Sequence, residues 1–184
     1  MCGSYDAPLS IAGQEQVERL RDRLANETAA CAVYSSPLRR ALDTASAAPP
    51  ARLQRCRVVR SIQEIHCGSI EGWPLTRVQT KYIDYWLRNL MQTDDDFRWP
   101  GVESYSCFRR RVLRAVRTIA RHHWNEQVIL FTHAGVINQL LGWMKGQNAA
   151  RWENFRPSYA SITRVMWDGS SWLLESFDDR SHLL

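Results

Sequence analysis

The chain has 184 residues, 45% of them hydrophobic and 23% charged, so it carries enough apolar surface for a packed core and is not a disordered chain. A net charge of +5, carried mostly by arginine, favours anionic partners without choosing among nucleic acid, an anionic membrane and phosphorylated small molecules. No apolar run approaches the roughly 20 residues of a membrane-spanning helix, and Met1-Cys2-Gly3-Ser4-Tyr5-Asp6 lacks the basic start and apolar stretch of a signal peptide, so a soluble cytoplasmic protein is expected.

In chain order, residues 10–25 read as a helix, with Val17, Leu20 and Leu24 on one stripe. Residues 31–35 read as a short buried strand and 37–47 as a helix with Ser36 as N-cap and Pro37 at its first position. Pro49-Pro50 breaks the pattern and predicts a loop over 46–55, and residues 57–62 form a plausible strand. A second loop is expected over 92–101. A long helix follows over 102–123, with Tyr105, Phe108, Val112, Val116 and Ile119 at three-to-four spacing. Residues 127–132 make the strongest buried strand, followed by a helix from about Gly135 to Lys145. The strand-like runs 159–167 and 171–177 meet through Trp167-Asp168-Gly169-Ser170, a hairpin signal. The pattern predicts one domain over 1–184, of α/β class: a three-layer, mainly parallel sheet flanked by helices and finished by an antiparallel hairpin.

The five cysteines, Cys2, Cys31, Cys56, Cys67 and Cys107, are scattered and contain no Cys-x-x-Cys pair. They read as reduced thiols, and a zinc site built from cysteines is not expected. Three strand-to-helix junctions carry the chemistry instead. Thr132-His133-Ala134-Gly135 places a histidine where a buried strand gives way to a helix N-terminus, a place that suits an anion. Ser35-Ser36-Pro37-Leu38-Arg39-Arg40 puts two arginines in a first helical turn, where they oppose the helix dipole; one of them serving a ligand would explain the placement, as would a surface salt bridge. Glu64 follows a strand and is a candidate general acid, although surface glutamates are common. The arginines of the long helix, Arg109, Arg110, Arg111, Arg114, Arg117 and Arg121, are expected on a solvated face opposite the apolar stripe.

Taken together these segments resemble the histidine phosphatase superfamily, phosphoglycerate mutase-like branch, nearly end to end. Gly3 to Gly13 is similar to its G-x-x-D-x-P-L-[ST]-x-x-G segment, and Tyr34 to Ala45 resembles S-S-x-L-x-R-A-x-x-T-A with the motif arginine on Arg40. Glu64 to Gly72 resembles E-x-x-x-G-x-x-E-G, Gly101-Val-Glu-Ser104 resembles G-x-E-S, Thr132 to Gly135 resembles the second-histidine motif, and Phe177 to Leu183 resembles the phosphatase tail. The resemblance implies that Arg40 neutralises phosphoryl oxygens, His133 hydrogen-bonds the phosphoryl group and Glu64 protonates the leaving oxygen. It places Cys2, Gly3 and Ala134 against the substrate and calls for no metal or cofactor. Residues 73–100 would form a cap over the site, short enough to favour a phosphatase over a mutase, and Trp73, Trp86 and Trp99 hint at an apolar or aromatic leaving group.

The family's Arg-His-Gly motif, whose histidine is the nucleophile, is not among residues 1–184. The expectation is therefore an N-terminally truncated chain, missing a central first strand and inactive as printed. The function expected of the full protein is a phosphomonoesterase acting through phosphohistidine on a small phosphorylated metabolite. A pseudo-phosphatase that binds a phosphorylated ligand or partner is the alternative. A nucleic-acid binder using the arginine helix ranks last, and a homodimer is left open.

Overall fold

The computed structural model describes residues 3–25, 27, 29–53 and 55–184. Its helices are α1 (Ile11–Leu24), α2 (Arg39–Ala45), α3 (Pro50–Leu53), α4 (Leu75–Lys81), α5 (Ile83–Met91), α6 (Tyr105–His122) and α7 (Ala134–Met144). Its strands are β1 (Ala30–Ser35), β2 (Arg57–Val58), β3 (Gln127–Phe131), β4 (Ile162–Trp167) and β5 (Trp172–Asp179). The first three strands form a parallel sheet in the order β2-β1-β3, and β4 pairs with β5 as an antiparallel hairpin.

The alternation of side chains along β1 and β3 builds the layers. Val33, Ile129 and Phe131 face one way, onto Val17, Leu20 and Leu24 of α1. Tyr34, Val128 and Leu130 face the other way, onto Phe108, Val112, Val116 and Ile119 of α6 and Val136 of α7. The hairpin joins both layers, with Ile162 packed in the first and Trp172 in the second. Glu27, just past α1, takes hydrogen bonds from Arg23, Gln127 and Arg164, and so ties α1, β3 and β4 together.

Four local expectations need correction. The strand expected over 57–62 stops at Val58; residues 60–62 turn into a 3-10 helix that buries Ile62. Ser36 is not the N-cap of α2, which starts at Arg39 behind Leu38; its Oγ accepts the N–H of Leu38 at 3.3 Å, short of the helix itself, and also lies 2.7 Å from His133 Nε2. The expected loop over 46–55 holds α3, which begins on Pro50, a first-turn position that proline tolerates. Finally, Arg109 and Arg111 are not on a solvated face. Arg109 donates to Gln139 Oε1 at 2.7 Å and to Asn148 O at 2.9 Å, and Arg111 turns toward the loop after β2.

Residues 73–100 carry α4 and α5 over an aromatic cluster that includes Tyr82, Tyr85, Phe97 and Trp99 and rests on Cys67 and Ile70. Trp99 is buried and stacks on Tyr85 at a centroid distance of 6.3 Å, which makes it core rather than site lining.

Phe108 is only 1% exposed at the centre of the α6 layer. Phe108→Ala is expected to cost about 3–5 kcal/mol in urea unfolding. Tyr159→Ala, at an 87% exposed position, should stay within about 0.5 kcal/mol.

Candidate active site

The parallel register sets Ser35 beside Phe131, so the chains leaving β1 and β3 emerge side by side. Ser36 N donates to Phe131 O at 2.9 Å, and Val59 N donates to Ser35 O at 2.8 Å, which brings in the chain leaving β2. His133 follows β3 after one intervening residue, Thr132, and is the N-cap residue of α7. Its side chain does not cap the helix, because Nε2 lies 2.7 Å from Ser36 Oγ.

The cap comes from Glu64. Its Oε2 accepts the Gly135 N–H at 3.0 Å, while Oε1 accepts the Ile65 N–H at 2.9 Å. The carboxylate thus sits where the backbone N–H groups and dipole of α7 attract negative charge. It comes so close to the backbone that a Cβ at position 135 would collide with the carboxylate.

Arg40 donates from Nη1 to Tyr5 O at 2.7 Å and from Nη2 to Gly3 O at 2.8 Å. It therefore fastens residues 3–5 beside the site with two of its five donors. Glu71 completes that fastening. It accepts from Ser4 N at 2.7 Å, Ser4 Oγ at 2.8 Å and Cys67 N at 2.8 Å, and lies 3.1 Å from His66 Nδ1. Burial alone would raise the Glu71 pKa, but these hydrogen bonds hold it below the usual value.

The charges set opposite tendencies on the two central groups. Burial raises the pKa of Glu64, against the hydrogen bonds from Ile65 and Gly135 and the charges of Arg40 and Arg111. Burial, then Arg40 and Arg111, push His133 down to about 3. At neutral pH the site offers an uncharged imidazole, a carboxyl drawn toward its protonated form, and two guanidinium charges. Such a set can hold an anion and deliver a proton to it.

Of the residues singled out in the sequence, Arg40, Glu64, His133 and Gly3 come together here. Ala134 is the exposed first residue of α7, next to them. Cys2 lies outside the described residues. Sequence reasoning missed Arg111. It holds Glu103 through both nitrogens, Nε at 2.9 Å and Nη2 at 2.6 Å, and donates to the carbonyls of Ser61, Gln63 and Glu64 at 3.0, 2.8 and 3.1 Å. The signal was its place next to Val112 on the edge of the apolar stripe, two turns after Glu103.

The sequence pattern of the histidine phosphatase superfamily (branch 1) matches residues 1–180. A metal-independent phosphoserine phosphatase of Arabidopsis thaliana is 30% identical over 184 residues, covering 98% of this chain and 75% of that protein. Phosphoglycerate mutase-like protein 4 of the same plant is 28% identical over 195 residues, covering 98% and 78%. Among solved structures, Bacillus stearothermophilus YhfR superposes with a TM-score of 0.90 at 25% identity, covering 100% of this chain and 91% of that one.

Two expectations follow from the geometry. Gly135→Ala should displace Glu64 and lower stability, and Glu64→Ala in the same chain should recover part of the loss. A double-mutant cycle should give a coupling of about 0.5–3 kcal/mol. Acid denaturation should report His133. Between its ordinary 6.5 and about 3, the unfolded chain takes up a proton that the folded chain refuses. Stability therefore falls as pH drops, by up to about 1.4 kcal/mol per pH unit across that window. Glu64 works in the opposite direction, since its raised pKa adds stability at low pH that is lost as pH rises. His133→Gln should flatten the acid limb in urea titrations run at a series of pH values.

Proposed function

The chain belongs to the histidine phosphatase superfamily, and from that premise we propose that it serves as a phosphomonoester hydrolase for a small phosphorylated metabolite. The observation that carries the reading is the Glu64 carboxyl, raised in pKa and held against the α7 N-terminus, beside an uncharged His133 and near Arg40 and Arg111. A phosphate monoester brings negative charge, for which guanidinium groups are the complement. When the bridging P–O bond breaks, its alcohol leaves as an alkoxide unless protonated, for which a carboxyl of raised pKa is the donor.

In this reading Arg40 neutralises phosphoryl oxygens while its contacts to Gly3 and Tyr5 keep the guanidinium in place. His133 donates a hydrogen bond to the phosphoryl group without adding charge. Glu64 gives its proton to the leaving oxygen and takes one back from water. Gly3 and Ala134 lie along the substrate path, and residues 73–100 cover it, since their aromatic cluster rests on the loop carrying Glu64. No metal ion enters the reaction. In the family pattern the phosphoryl group passes to the histidine of an Arg-His-Gly motif that residues 1–184 do not contain, and no residue of this chain is assigned that step. Phosphoserine is the first ester to offer, because the Arabidopsis relative at 30% identity is named for it. A cytoplasmic setting agrees with the free thiols of Cys56, Cys67 and Cys107. Among the described residues no helix is long and apolar enough to cross a membrane.

A second reading, binding of a phosphorylated ligand without turnover, is favoured by one observation. His133 sits just beyond the end of β3 with its Nε2 2.7 Å from Ser36 Oγ, and His66, on the loop after Glu64, is turned to Glu71. The protein isolated from its own cell decides between the two when offered a panel of phosphate esters. Release of inorganic phosphate is expected, with Glu64→Gln lowering kcat about 10²–10⁴-fold and KM changing little. The limb of the pH profile where activity falls as Glu64 ionises should vanish in that variant. Ester binding by calorimetry with no phosphate release would establish the second reading instead.

A further inference from the structure

At the opposite end of the parallel sheet, where β1 and β3 begin, three donor atoms meet. Cys31 Sγ lies 3.4 Å from His123 Nδ1 and 3.1 Å from Glu126 Oε2, and His123 Nδ1 lies 2.7 Å from the same Glu126 oxygen. We propose that Cys31, His123 and Glu126 form a zinc-binding site, remote from the strand ends that carry Glu64 and His133.

The shape of the cluster separates a metal site from a proton relay. In a relay the carboxylate and the thiol hold opposite nitrogens of the imidazole. Here both face Nδ1, and Nε2 turns away to the Tyr34 hydroxyl at 2.8 Å. Three donors on one point, with the far ring nitrogen held by a partner, is how metal-ligating histidines are arranged. A tetrahedral zinc with sulfur at ~2.3 Å and nitrogen and oxygen at ~2.0–2.1 Å needs donor separations of roughly 3.3–3.6 Å. The Cys31–His123 edge is already close to that spacing, and the other two need to open by roughly 0.4–0.7 Å to admit the ion.

The backbone makes the arrangement a built one. His123 ends α6, and Glu126 N donates back to His123 O at 3.1 Å, closing a turn in which Asn125 has a left-handed φ of 57°. That turn presents both side chains together. Across from it the β1–β3 ladder skips a residue: Ala30 pairs with Gln127 and Ala32 with Val128, so Cys31 is the extra residue of a bulge. Bulges are rare in parallel pairs, and they re-aim a side chain. This one aims a thiol at His123 and Glu126. One thiolate, one neutral imidazole and one carboxylate balance a doubly charged ion, and the sulfur–nitrogen donor set selects zinc over magnesium or calcium. On binding, the Cys31 thiol releases its proton to solvent. The fourth position faces solvent beside the exposed Glu126 and takes water.

Cobalt(II), added alone to the metal-stripped protein, is the probe, because it fills zinc sites and reports thiolate ligation by absorption. One equivalent is expected to give a thiolate-to-cobalt charge-transfer band that zinc then abolishes. Cys31→Ala should remove the band and weaken zinc binding by more than about 100-fold, while Tyr34→Phe should weaken it roughly 10-fold or more, within the usual range for an outer partner. Glu126→Gln, at an exposed position, should keep the band and lose affinity. Cys107→Ala, at an exposed thiol outside the cluster, should change nothing. Absence of the band, its survival in Cys31→Ala, or unchanged zinc affinity in Glu126→Gln would overturn the proposal.

Discussion

The contact between the Glu64 carboxylate and the first turn of α7 is the constraint around which the site is arranged. His133 is the N-cap residue of that helix, yet its ring is committed to Ser36, so the orphan N–H of Gly135 needs an acceptor from elsewhere. Glu64 supplies it from a loop 71 residues away in sequence. The approach excludes any side chain at position 135, and it also explains the turn after β2. A longer β2 would carry Glu64 past the helix end; the 3-10 turn at 60–62 brings it back over β3, where Thr132 Oγ1 donates to Ile62 O at 2.7 Å.

Enclosing a carboxyl group has to be made tolerable, and the surrounding charges do that at a distance. Arg111 does not touch the Glu64 carboxylate. It grips the carbonyls of Gln63 and Glu64 and is itself neutralised by Glu103. Its charge therefore lowers the pKa of both Glu64 and His133 without forming a direct pair that would fix Glu64 as a carboxylate. A direct salt bridge would have removed the proton that Glu64 is proposed to deliver. Arg111 acts as a positioning residue through the backbone, in contrast with Arg40, whose guanidinium stands at the edge of the site.

The elements that follow a single period were legible in the sequence: α1, α6, β3 and α7 fall within a few residues of where the apolar spacing put them. The departures have local causes. Val58 and Val59 suggest a strand by composition, but β2 is an exposed edge whose pairing with β1 covers two residues before the chain is needed at Glu64. Ser36 looks like an N-cap because Pro37 follows it, but the helix begins at Arg39, and the Ser36 Oγ is shared between the N–H of Leu38 and the three-dimensional neighbour His133. The strand ends bearing Arg40, Glu64 and His133 could be named beforehand, because each follows a strand of one parallel sheet. Arg111 could not, since a residue on the margin of an amphipathic helix reads as solvated until the loop it grips is in place.

The same logic explains why the Cys31 cluster is silent in sequence. Its thiol and imidazole are separated by 92 positions, and neither sits in a spaced metal motif. What brings them together is the parallel register of β1 and β3, which aligns the starts of the two strands as firmly as their ends. A parallel sheet thus has two functional edges. The carboxyl edge gathers helix N-termini, whose dipoles attract anions. The amino edge gathers helix C-termini such as that of α6, whose dipole favours cations, and there a histidine and a carboxylate converge on a bulged thiol. The polarity of the β-α unit therefore assigns opposite charge preferences to opposite ends of one domain, and the two clusters found here fall on the ends that this polarity predicts.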